Sequence, residues 1–575
     1  MRMIRLIKKP LDEIVFFLVC LICIITPIVN HFLLLFKDIE LDFLFLQFLA
    51  IAIIISYVMT TIIYLLRKWK FIKILAYVFV MLLAIVYFFL KIHFGTNMSP
   101  LIVTMIAETN MHESSEFLNS YLLSKDTIII LTISILLLFI IIKAELTSVL
   151  KNDRLKKYLT VLIILSFPLS IYGIRIVKSL IQCNNMNEIN DWYDTYYPYA
   201  MDNVSTLMYS LYIPHITSKE IDTIIHHTEE AIKTKSICTE KDSIDIVFVI
   251  GESYIKSHAH LYGYALPTTP EMDKERNQGN LFVFNDMISP YNTTTQAIKN
   301  ILCTNNLSDG ESWSESTYFP SVFKQAGYHV YMWDNQKNLG TFLIYTFTIN
   351  SLLYNRKIID YSYSKYSNKN YPYDGQLVES FFKEKTGKHN FVIFHLMGQH
   401  VIPSERYPDN ENVFTFKDIK RNDTWLDKTK KQSIAEYDNA TRYNDLVMGQ
   451  LFNYYRLKNA VIIYLSDHGE EIYDIRDFKG RDLENMKDKS IVKYQNDIPF
   501  VIWCSNKYQS LHPDIIQDLK GAINKKAMSD NICHLLFRLA NIETPFYQAK
   551  RDLSNRLYEC KQRIIYDKYN YDDIQ

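Results

Sequence analysis

The sequence predicts a protein in two parts: an α-helical membrane domain over residues 1–182 and an α/β domain over residues 241–575, joined by a linker and bridging helices at 183–240. Five long apolar stretches lie before residue 182. After residue 240, short apolar runs of buried-strand type alternate with helical or loop segments. The mean hydropathy of −0.04 is therefore the average of two different compositions.

Length and charge narrow the classes of function. With 575 residues the chain exceeds one ordinary domain, and its 49% hydrophobic and 22% charged residues exclude a disordered chain. Lys+Arg and Asp+Glu each number 62, so the formal net charge is zero. Because proteins that hold nucleic acid usually present a strongly basic surface, we expect no nucleic-acid partner.

The apolar stretches have the length of membrane-spanning helices, for which roughly 17–25 predominantly apolar residues are needed. They are Ile14–Phe36, Phe43–Leu66, Phe71–Ile92, Thr127–Ile142 and Tyr158–Ile181. A buried core helix would explain any one stretch, but five in one short region predict five transmembrane helices. The first is longer than the apolar core of a typical signal peptide and lacks a small-residue cleavage site, which predicts a retained anchor.

Lys and Arg residues between the stretches predict the orientation. They are concentrated before the first stretch, between the second and third, and between the fourth and fifth: Arg2, Arg5, Lys8, Lys9, Arg67, Lys68, Lys70, Lys73, Lys143, Lys151, Arg154, Lys156 and Lys157. The positive-inside rule places these segments and the N-terminus in the cytoplasm. Five crossings then place the α/β domain outside, which in a bacterium is the periplasm.

The loop between the third and fourth stretches carries apolar residues at helical spacing. Leu101, Ile102, Met105 and Ile106 predict an amphipathic helix at about 97–122 that lies along the outer membrane face. An ordinary surface helix fits the same pattern.

The second part predicts a mostly parallel sheet covered on both faces. Its buried-strand runs are Ile244–Ile250, Val330–Trp333, Phe391–Met397, Ala460–Leu465 and Ile498–Trp503. Near-continuous apolar strands separated by helices are typical of such sheets. Chemistry in them gathers beyond the carboxyl ends of the strands, so the polar residues that follow each strand are the candidates for a site.

Carboxylates and an imidazole follow two of these strands. Glu252 comes directly after the first strand, and Asp467 and His468 follow a later one. These are ligand types that zinc accepts. A turn with an Asp cap would explain the Asp-His-Gly segment by itself.

A threonine run and a histidine complete the candidates. Thr293, Thr294 and Thr295 lead into a helical pattern that ends near Cys303, and a hydroxyl there is either a helix N-cap or a nucleophile. His400 ends the segment HLMGQH, which leaves a strand. A structural role explains this histidine as well as a place in a site.

Six sequence segments occur once each, in a fixed order along the chain. They are GESYIKSHAHLYGYALPTTP at 251–270, HLMGQH at 395–400, YDNATRYND at 437–445, SDHGE at 466–470, YQNDIPFVIW at 494–503 and SDNICHLLF at 529–537. This combination resembles the phosphoethanolamine transferases of bacterial inner membranes, a branch of the alkaline phosphatase/sulfatase superfamily. The resemblance covers nearly the whole chain, because that family also has five spans before its catalytic domain.

The resemblance implies an α/β/α sulfatase-like periplasmic domain and a zinc cofactor. It implies that Glu252, Thr294, Asp467 and His468 ligate the zinc, with Thr294 as the catalytic nucleophile. Among the threonines, Thr294 fits the family's spacing to the apolar residues of the following helix. The resemblance also implies that five further residues lie near the substrates: His400, Asn335, Gln336, Thr109 and Glu113. The sequence departs from the family in having no His between His468 and His534, so a second metal or phosphate contact is either missing or replaced by Arg481 or Lys479.

The activity that the resemblance implies is transfer of phosphoethanolamine from phosphatidylethanolamine to lipopolysaccharide, on lipid A or a core sugar, through a threonine intermediate. A glycerol-phosphate transferase of the lipoteichoic acid synthase type is one alternative. A sulfatase or phosphatase is another, although the Cys or Ser setting of sulfatases is missing around Thr294. A non-catalytic membrane sensor or transporter is the alternative from a different class.

Overall fold

The computed structural model divides the chain into two compact units, Met1–Lys219 and Glu220–Gln575. It describes residues 2–34, 43–94, 98, 102, 121, 123–147, 152–182, 202–336, 352–367, 369–400, 402–482 and 485–574. Thr109, Glu113, most of the amphipathic segment at about 97–122 and the linker residues 183–201 lie outside these ranges.

The first unit is helical. Its helices are α1 (Arg2–Lys8), α2 (Ile14–Leu34), α3 (Phe43–Leu65), α4 (Lys70–Phe94), α5 (Lys125–Thr147) and α6 (Asp153–Ile181), followed by α7 (Asn203–Ala231), which continues into the second unit. Within the described residues, four segments are long and apolar enough to cross a membrane: Leu6–Ile28, Leu46–Leu65, Lys70–Phe94 and Lys125–Lys143. These four agree with the first four predicted spans, and the count of five stays a prediction.

The fifth predicted span forms a continuous helix, α6, despite Pro168 within it. Its charged residues near both ends lower its apolar content relative to the other four. Leu159 and Ile163 of this helix nevertheless pack in one buried cluster with Phe17 of α2 and Ile53 of α3. Helix α6 is therefore part of the bundle of the first unit.

The second unit is built on a seven-stranded sheet. Its strands are β1 (Ile244–Gly251), β2 (Leu281–Phe284), β3 (His329–Asp334), β4 (Lys365–Tyr366), β5 (His389–His395), β6 (Ala460–Ser466) and β7 (Phe500–Cys504). Their order across the sheet is β2-β7-β6-β1-β5-β3-β4. β1, β3, β4, β5 and β6 pair in parallel, and β7 pairs antiparallel with both of its neighbours.

Helices cover both faces of this sheet. They are α8 (Pro270–Asn277), α9 (Thr294–Ile301), α10 (Pro320–Gln325), α11 (Arg356–Ser362), α12 (Asp374–Phe381), α13 (Lys428–Tyr455), α14 (Lys489–Asn496), α15 (Asn506–Leu511), α16 (Pro513–Ala522) and α17 (Ile532–Leu539). Alternate strand residues face opposite sides. Phe248 of β1 therefore packs with Phe537 of α17 in one core, and Val249 packs with Leu451 of α13 in the other.

Four two-stranded ribbons complete the unit. They are Ile237–Cys238 with Ile542–Glu543, Met287–Ile288 with Ala527–Met528, Glu471–Ile472 with Lys479–Gly480, and Ile564–Ile565 with Tyr569–Asn570. All five predicted strands are present within two residues of their expected ends. The prediction lacked β2 and β4, because β2 is only four residues long and β4 is two exposed residues without an apolar pattern.

Candidate active site

Four neighbouring strands bring the candidate residues to one edge of the sheet. The last residues of β1 and β6 pair with each other, Gly251 with Ser466. The last residue of β5, His395, pairs with Ile250 of β1 on one side and with Asp334 of β3 on the other. Because these strands are parallel, the polar residues that follow them emerge side by side.

Glu252, Asp467 and His468 form a buried cluster with ligand atoms that all lie within 4.8 Å of one another. His468 Nε2 is 3.3 Å from Glu252 Oε1 and 3.3 Å from Asp467 Oδ2. All three side chains are fully buried. Two carboxylates and an imidazole at these distances form a donor set that a divalent cation stabilises.

Two features of Asp467 fit a cation at this point. Its Oδ2 atom is buried and accepts no hydrogen bond within the described chain, whereas Oδ1 accepts from the backbone N–H groups of Ser253 and His468. Burial, together with the charge of Glu252, raises the pKa of Asp467 to about 7. A buried carboxylate oxygen without a partner is costly, and a metal ion would satisfy it.

The orientation of His468 is fixed from its other ring nitrogen. Nδ1 lies 2.8 Å from the carbonyl oxygen of Gly469, which requires the proton on Nδ1 and leaves Nε2 directed at the cluster with its lone pair. A side chain at Gly469 would meet the carbonyl oxygen of Tyr494 at 2.4 Å, so only glycine permits this turn.

Thr294 joins the cluster from helix α9. It is the first residue of that helix, and the N-cap residue, Thr293, makes no side-chain capping bond. The Thr294 hydroxyl donates to Glu252 Oε2 at 2.9 Å and lies 3.3 Å from His468 Nε2. The hydroxyl therefore points into the carboxylate–imidazole cluster instead of capping the helix, and it lies near the positive end of the helix dipole.

Asn335 and Gln336 are adjacent after β3 but turn in different directions. Gln336 Nε2 donates to Glu252 Oε2 at 3.0 Å and to the carbonyl oxygen of Leu396 at 2.7 Å. The buried Asn335 donates from Nδ2 to Asp374 and accepts from the Tyr371 N–H. Gln336 thus borders the cluster, whereas the contacts of Asn335 are to the protein scaffold.

Arg481 and the ring of His400 border the cluster. Arg481 Nη1 lies 3.1 Å from His468 Nε2. His400 follows the turn after β5, with its N–H bonded to the Met397 carbonyl oxygen and its own carbonyl accepting from Arg406 Nε. Its ring is near enough to Glu252 to stabilise that carboxylate electrostatically. This side of the cluster suits a phosphate group.

Three supporting residues were not predicted from the sequence. The Asp374 carboxylate accepts from the backbone N–H groups of Met397 and Gly398 and so holds the turn after β5. Tyr437 OH donates to the carbonyl oxygen of Ser253, which has a left-handed φ of 56°. Gly398 and Tyr437 stand within the segments HLMGQH and YDNATRYND, which did not indicate these supporting contacts, and Asp374 had no signal that distinguishes it from an ordinary polar residue.

Gly398 is required by a close backbone approach. Its φ is +50°, and an added Cβ would lie 2.6 Å from the carbonyl oxygen and 2.8 Å from the nitrogen of Glu252. The Gln399 N–H also donates to that carbonyl oxygen at 3.1 Å. The turn after β5 therefore presses against the backbone of Glu252 and fixes its position.

Comparison with known proteins places this site in a family. The Sulfatase family model matches residues 244–542. Phosphoethanolamine transferase EptC of Escherichia coli (strain K12) is 27% identical over 342 residues, which are 56% of this chain and 55% of that protein. The chain thus spans about half the length of the curated relatives it matches.

Two solved structures resemble this chain. The C-terminal periplasmic domain of EcEptC from Escherichia coli, in complex with Zn, has a TM-score of 0.51 and 25% identity, with 59% of this chain and 96% of that chain covered. The integral membrane protein lipooligosaccharide phosphoethanolamine transferase A (EptA) from Neisseria meningitidis has a TM-score of 0.61 and 16% identity, with 95% and 97% covered. The second likeness shows a shared fold, a helical N-terminal region followed by an α/β domain.

The matched family segment begins with β1 and contains Glu252, Thr294, Asp467 and His468, and it covers more than half of the 575 residues. The chain therefore belongs to the sulfatase family of the alkaline phosphatase superfamily, and its homologues are the phosphoethanolamine transferases whose motifs its sequence resembles.

Proposed function

We propose that this protein transfers phosphoethanolamine from phosphatidylethanolamine to lipopolysaccharide, on lipid A or a core sugar, and releases diacylglycerol. The observation that carries the proposal is the Thr294 hydroxyl, which begins a helix and contacts both Glu252 and His468. The relatives reported above are named phosphoethanolamine transferases, which favours this activity over a glycerol-phosphate transferase, a hydrolase or a non-catalytic sensor or transporter.

Zinc is the proposed cofactor, with Glu252, Thr294, Asp467 and His468 as its ligands. Three observations support zinc: the buried Oδ2 of Asp467 accepts no hydrogen bond within the described residues, the cluster offers both oxygen and nitrogen donors, and the similar Escherichia coli domain was solved in complex with Zn. Bound there, zinc would supply Lewis acidity, which lowers the pKa of a hydroxyl and makes a phosphorus atom more electrophilic.

The residues of the chain perform two displacements at one position. The Thr294 hydroxyl gives up its proton as its oxygen attacks the phosphorus of the donor, the bond from phosphorus to the diacylglycerol oxygen breaks, and that oxygen takes up a proton, so that no net proton is gained or lost. An acceptor hydroxyl then gives up its proton as its oxygen attacks the phosphoethanolamine–threonine intermediate, and the Thr294 oxygen leaves and regains a proton. Glu252 Oε2 accepts the hydrogen bond of the Thr294 hydroxyl and orients its lone pairs, while Arg481, Gln336 and His400 border the space for the phosphate oxygens.

A lipid donor gives the helical unit a role in the reaction. We place the protein in the bacterial inner membrane with five spans, a cytoplasmic N-terminus and a periplasmic catalytic domain, divided at 1–182, 183–240 and 241–575. Four candidate spans and the packing of α6 among them support this arrangement. The segment at about 97–122, with Thr109 and Glu113, is proposed to lie near the head group of the donor.

Mass spectrometry of lipopolysaccharide from cells with and without the gene tests the activity. Loss of a phosphoethanolamine increment on deletion, restored by the wild-type gene and not by Thr294→Ala, is the expected result. Its position on the glycan identifies the acceptor group. Unchanged lipopolysaccharide after deletion would argue against the proposal.

A further inference from the structure

Arg481 contacts the buried cluster at one nitrogen atom. Its Nη1 lies 3.1 Å from Nε2 of His468. A guanidinium has only N–H donors and stays charged in proteins, so this contact requires a lone pair on Nε2. The other ring nitrogen, Nδ1, lies 2.8 Å from the carbonyl oxygen of Gly469 and therefore carries the proton, which leaves that lone pair free to accept.

The same lone pair is the one that His468 would offer to a metal. An imidazole nitrogen has a single lone pair, and zinc binds it at about 2.0–2.1 Å. This is well inside the 3.1 Å that separates Nη1 from Nε2. Oε1 of Glu252 and Oδ2 of Asp467 each lie 3.3 Å from the same nitrogen. The guanidinium and a metal therefore compete for Nε2, and Arg481 must donate to other groups when a metal binds.

Arg481 is not tied to a carboxylate within the part of the chain that the structure describes. Arg476, on the same segment, donates to Glu471 at 2.9 Å and pairs with Asp482 at 2.8 Å. Arg481 forms no such ion pair among the described residues, and it is partly exposed to solvent. Its side chain can therefore turn away from His468 without the loss of an ion pair.

A displaced guanidinium would have two kinds of partner beside the cluster. One is Glu470, whose buried carboxylate is near enough to be stabilised by the charge of Arg481. The other is a phosphate group, which a guanidinium binds through two parallel N–H donors. A phosphate carries more negative charge than a carboxylate and can contact both a metal and an arginine, so we expect it to be the preferred partner.

We propose that Arg481 couples metal binding to phosphate binding: zinc displaces its guanidinium from His468, and the guanidinium then binds the phosphoryl oxygens of the substrate. This inference rests on the proposed function, because it takes zinc and a phosphoryl group as the occupants of the site. Without phosphate Arg481 opposes the metal, and with phosphate the two cations hold the same group. Because coupling between two sites is reciprocal, phosphate tightens zinc binding by the same factor as zinc tightens phosphate binding.

Zinc binding to the full-length protein in detergent micelles tests this coupling without any lipid substrate. The zinc affinity is measured by competition with a chromophoric chelator, first alone and then at saturating inorganic phosphate. Arg481→Gln and Arg481→Met both remove the guanidinium, and thermal unfolding of each variant checks that it is folded. The matched control is Lys493→Gln, which removes one positive charge from an exposed position on α14, a helix that contacts the turn after His468 through Gly469 and Gln495.

Without phosphate, we expect both Arg481 variants to bind zinc about fivefold more tightly than the wild type, because the competing donor and its charge are gone. An arginine with a merely structural role would give the opposite sign. The gain in zinc affinity on addition of phosphate should be about fivefold larger in the wild type than in the Arg481 variants. Lys493→Gln should match the wild type in both conditions.

If both Arg481 variants bind zinc no more tightly than the wild type without phosphate, or if the wild type binds no zinc, the inference is overturned. An equal gain from phosphate in all the proteins would show that the displaced guanidinium turns to Glu470 or to solvent, and would also overturn it. Equal changes in Lys493→Gln would reduce the effect to net charge, with the same consequence. If the expected binding is found but lipopolysaccharide is unchanged by deletion of the gene, the proposed transfer fails and the coupling remains.

Discussion

The hydroxyl oxygen of Thr294 lies 2.9 Å from Oε2 of Glu252, although the two residues are 42 positions apart in the chain. Thr294 begins a helix, and Glu252 directly follows a strand. This contact brings a potential nucleophile to a carboxylate that shares its cluster with Asp467 and His468.

Removal of the Thr294 hydroxyl is expected to abolish transfer. The Thr294→Ala variant should lose activity by roughly a thousandfold or more, because it lacks the oxygen proposed to accept the phosphoethanolamine group, while its thermal unfolding stays near that of the wild type. Thr293→Ala is the matched control, since Thr293 makes no side-chain capping bond. Transfer by Thr294→Ala at the wild-type rate would refute the nucleophile.

Loss of a cluster side chain is expected to remove the metal. Glu252→Ala and His468→Ala should each lower the zinc content of the purified protein to a small fraction of one ion per chain, because each deletes one donor from a set of four. Elemental analysis measures this, with the exposed Glu543 changed to Ala as the control. Full zinc occupancy in both cluster variants would reject the ligand set.

Gly398→Ala is expected to displace Glu252. The added methyl group would meet the Glu252 backbone at 2.6 Å, so zinc content and transfer should both fall, the latter by about tenfold or more. Gly310→Ala separates steric contact from backbone strain, because Gly310 has a φ of +73° but nothing within 4 Å of its Cβ position. Equal losses in both variants would show that strain alone explains the effect.

His258 is expected to make stability depend on pH in the alkaline range. Burial alone would lower its pKa, but the carboxylates of Asp474 and Asp438, 3.0 and 2.7 Å from its ring nitrogens, raise it to about 10. A folded pKa above the unfolded value of 6.5 means that this contribution is complete below pH 6.5 and is lost as the pH rises through about 10.

The measurement is the thermal midpoint of the full chain between pH 6.5 and 10. The wild type should lose stability over this range, and His258→Gln should start lower, by about 3 kcal/mol, and change less. His260→Gln is the control, because His260 also pairs with an aspartate but its side chain is 43% exposed. A pH profile of His258→Gln parallel to that of the wild type would contradict the prediction.

With a cytoplasmic N-terminus and five spans, the second unit is expected to lie outside the inner membrane. Cys560 is exposed, so in a variant without the other cysteines a membrane-impermeant maleimide should label it from outside the inner membrane in spheroplasts. A single Cys at position 68, in the basic segment between α3 and α4, should stay unlabelled until the membrane is permeabilised. Labelling of position 68 and not of Cys560 would reverse the orientation, and protection of both would indicate an even number of spans.

Much of the fold could be predicted from patterns among neighbouring residues. Long apolar stretches predicted the membrane-spanning helices of the first unit, and short apolar runs predicted five strands of the sheet. Both patterns involve neighbouring residues and can therefore be recognised in the sequence alone. Such patterns could not predict whether β7 runs parallel or antiparallel to its neighbours. A buried apolar strand has the same composition whether its neighbours run parallel or antiparallel, and only its pairing with β2 and β6 decided this.

For the candidate site, too, some features could be predicted from the sequence and others only from the tertiary structure. The sequence by itself determined the chemical groups after each strand, Glu252, Asp467 and His468 among them, and the threonine run that precedes α9. The tertiary structure decided that Thr294 points into the cluster, that Gln336 borders it while Asn335 bonds to Asp374, and that Gly398 must lack a side chain. These contacts join segments that are distant in the chain, and their geometry depends on strand order and register, which arise from the packing of the whole sheet and leave no local pattern in the residues themselves.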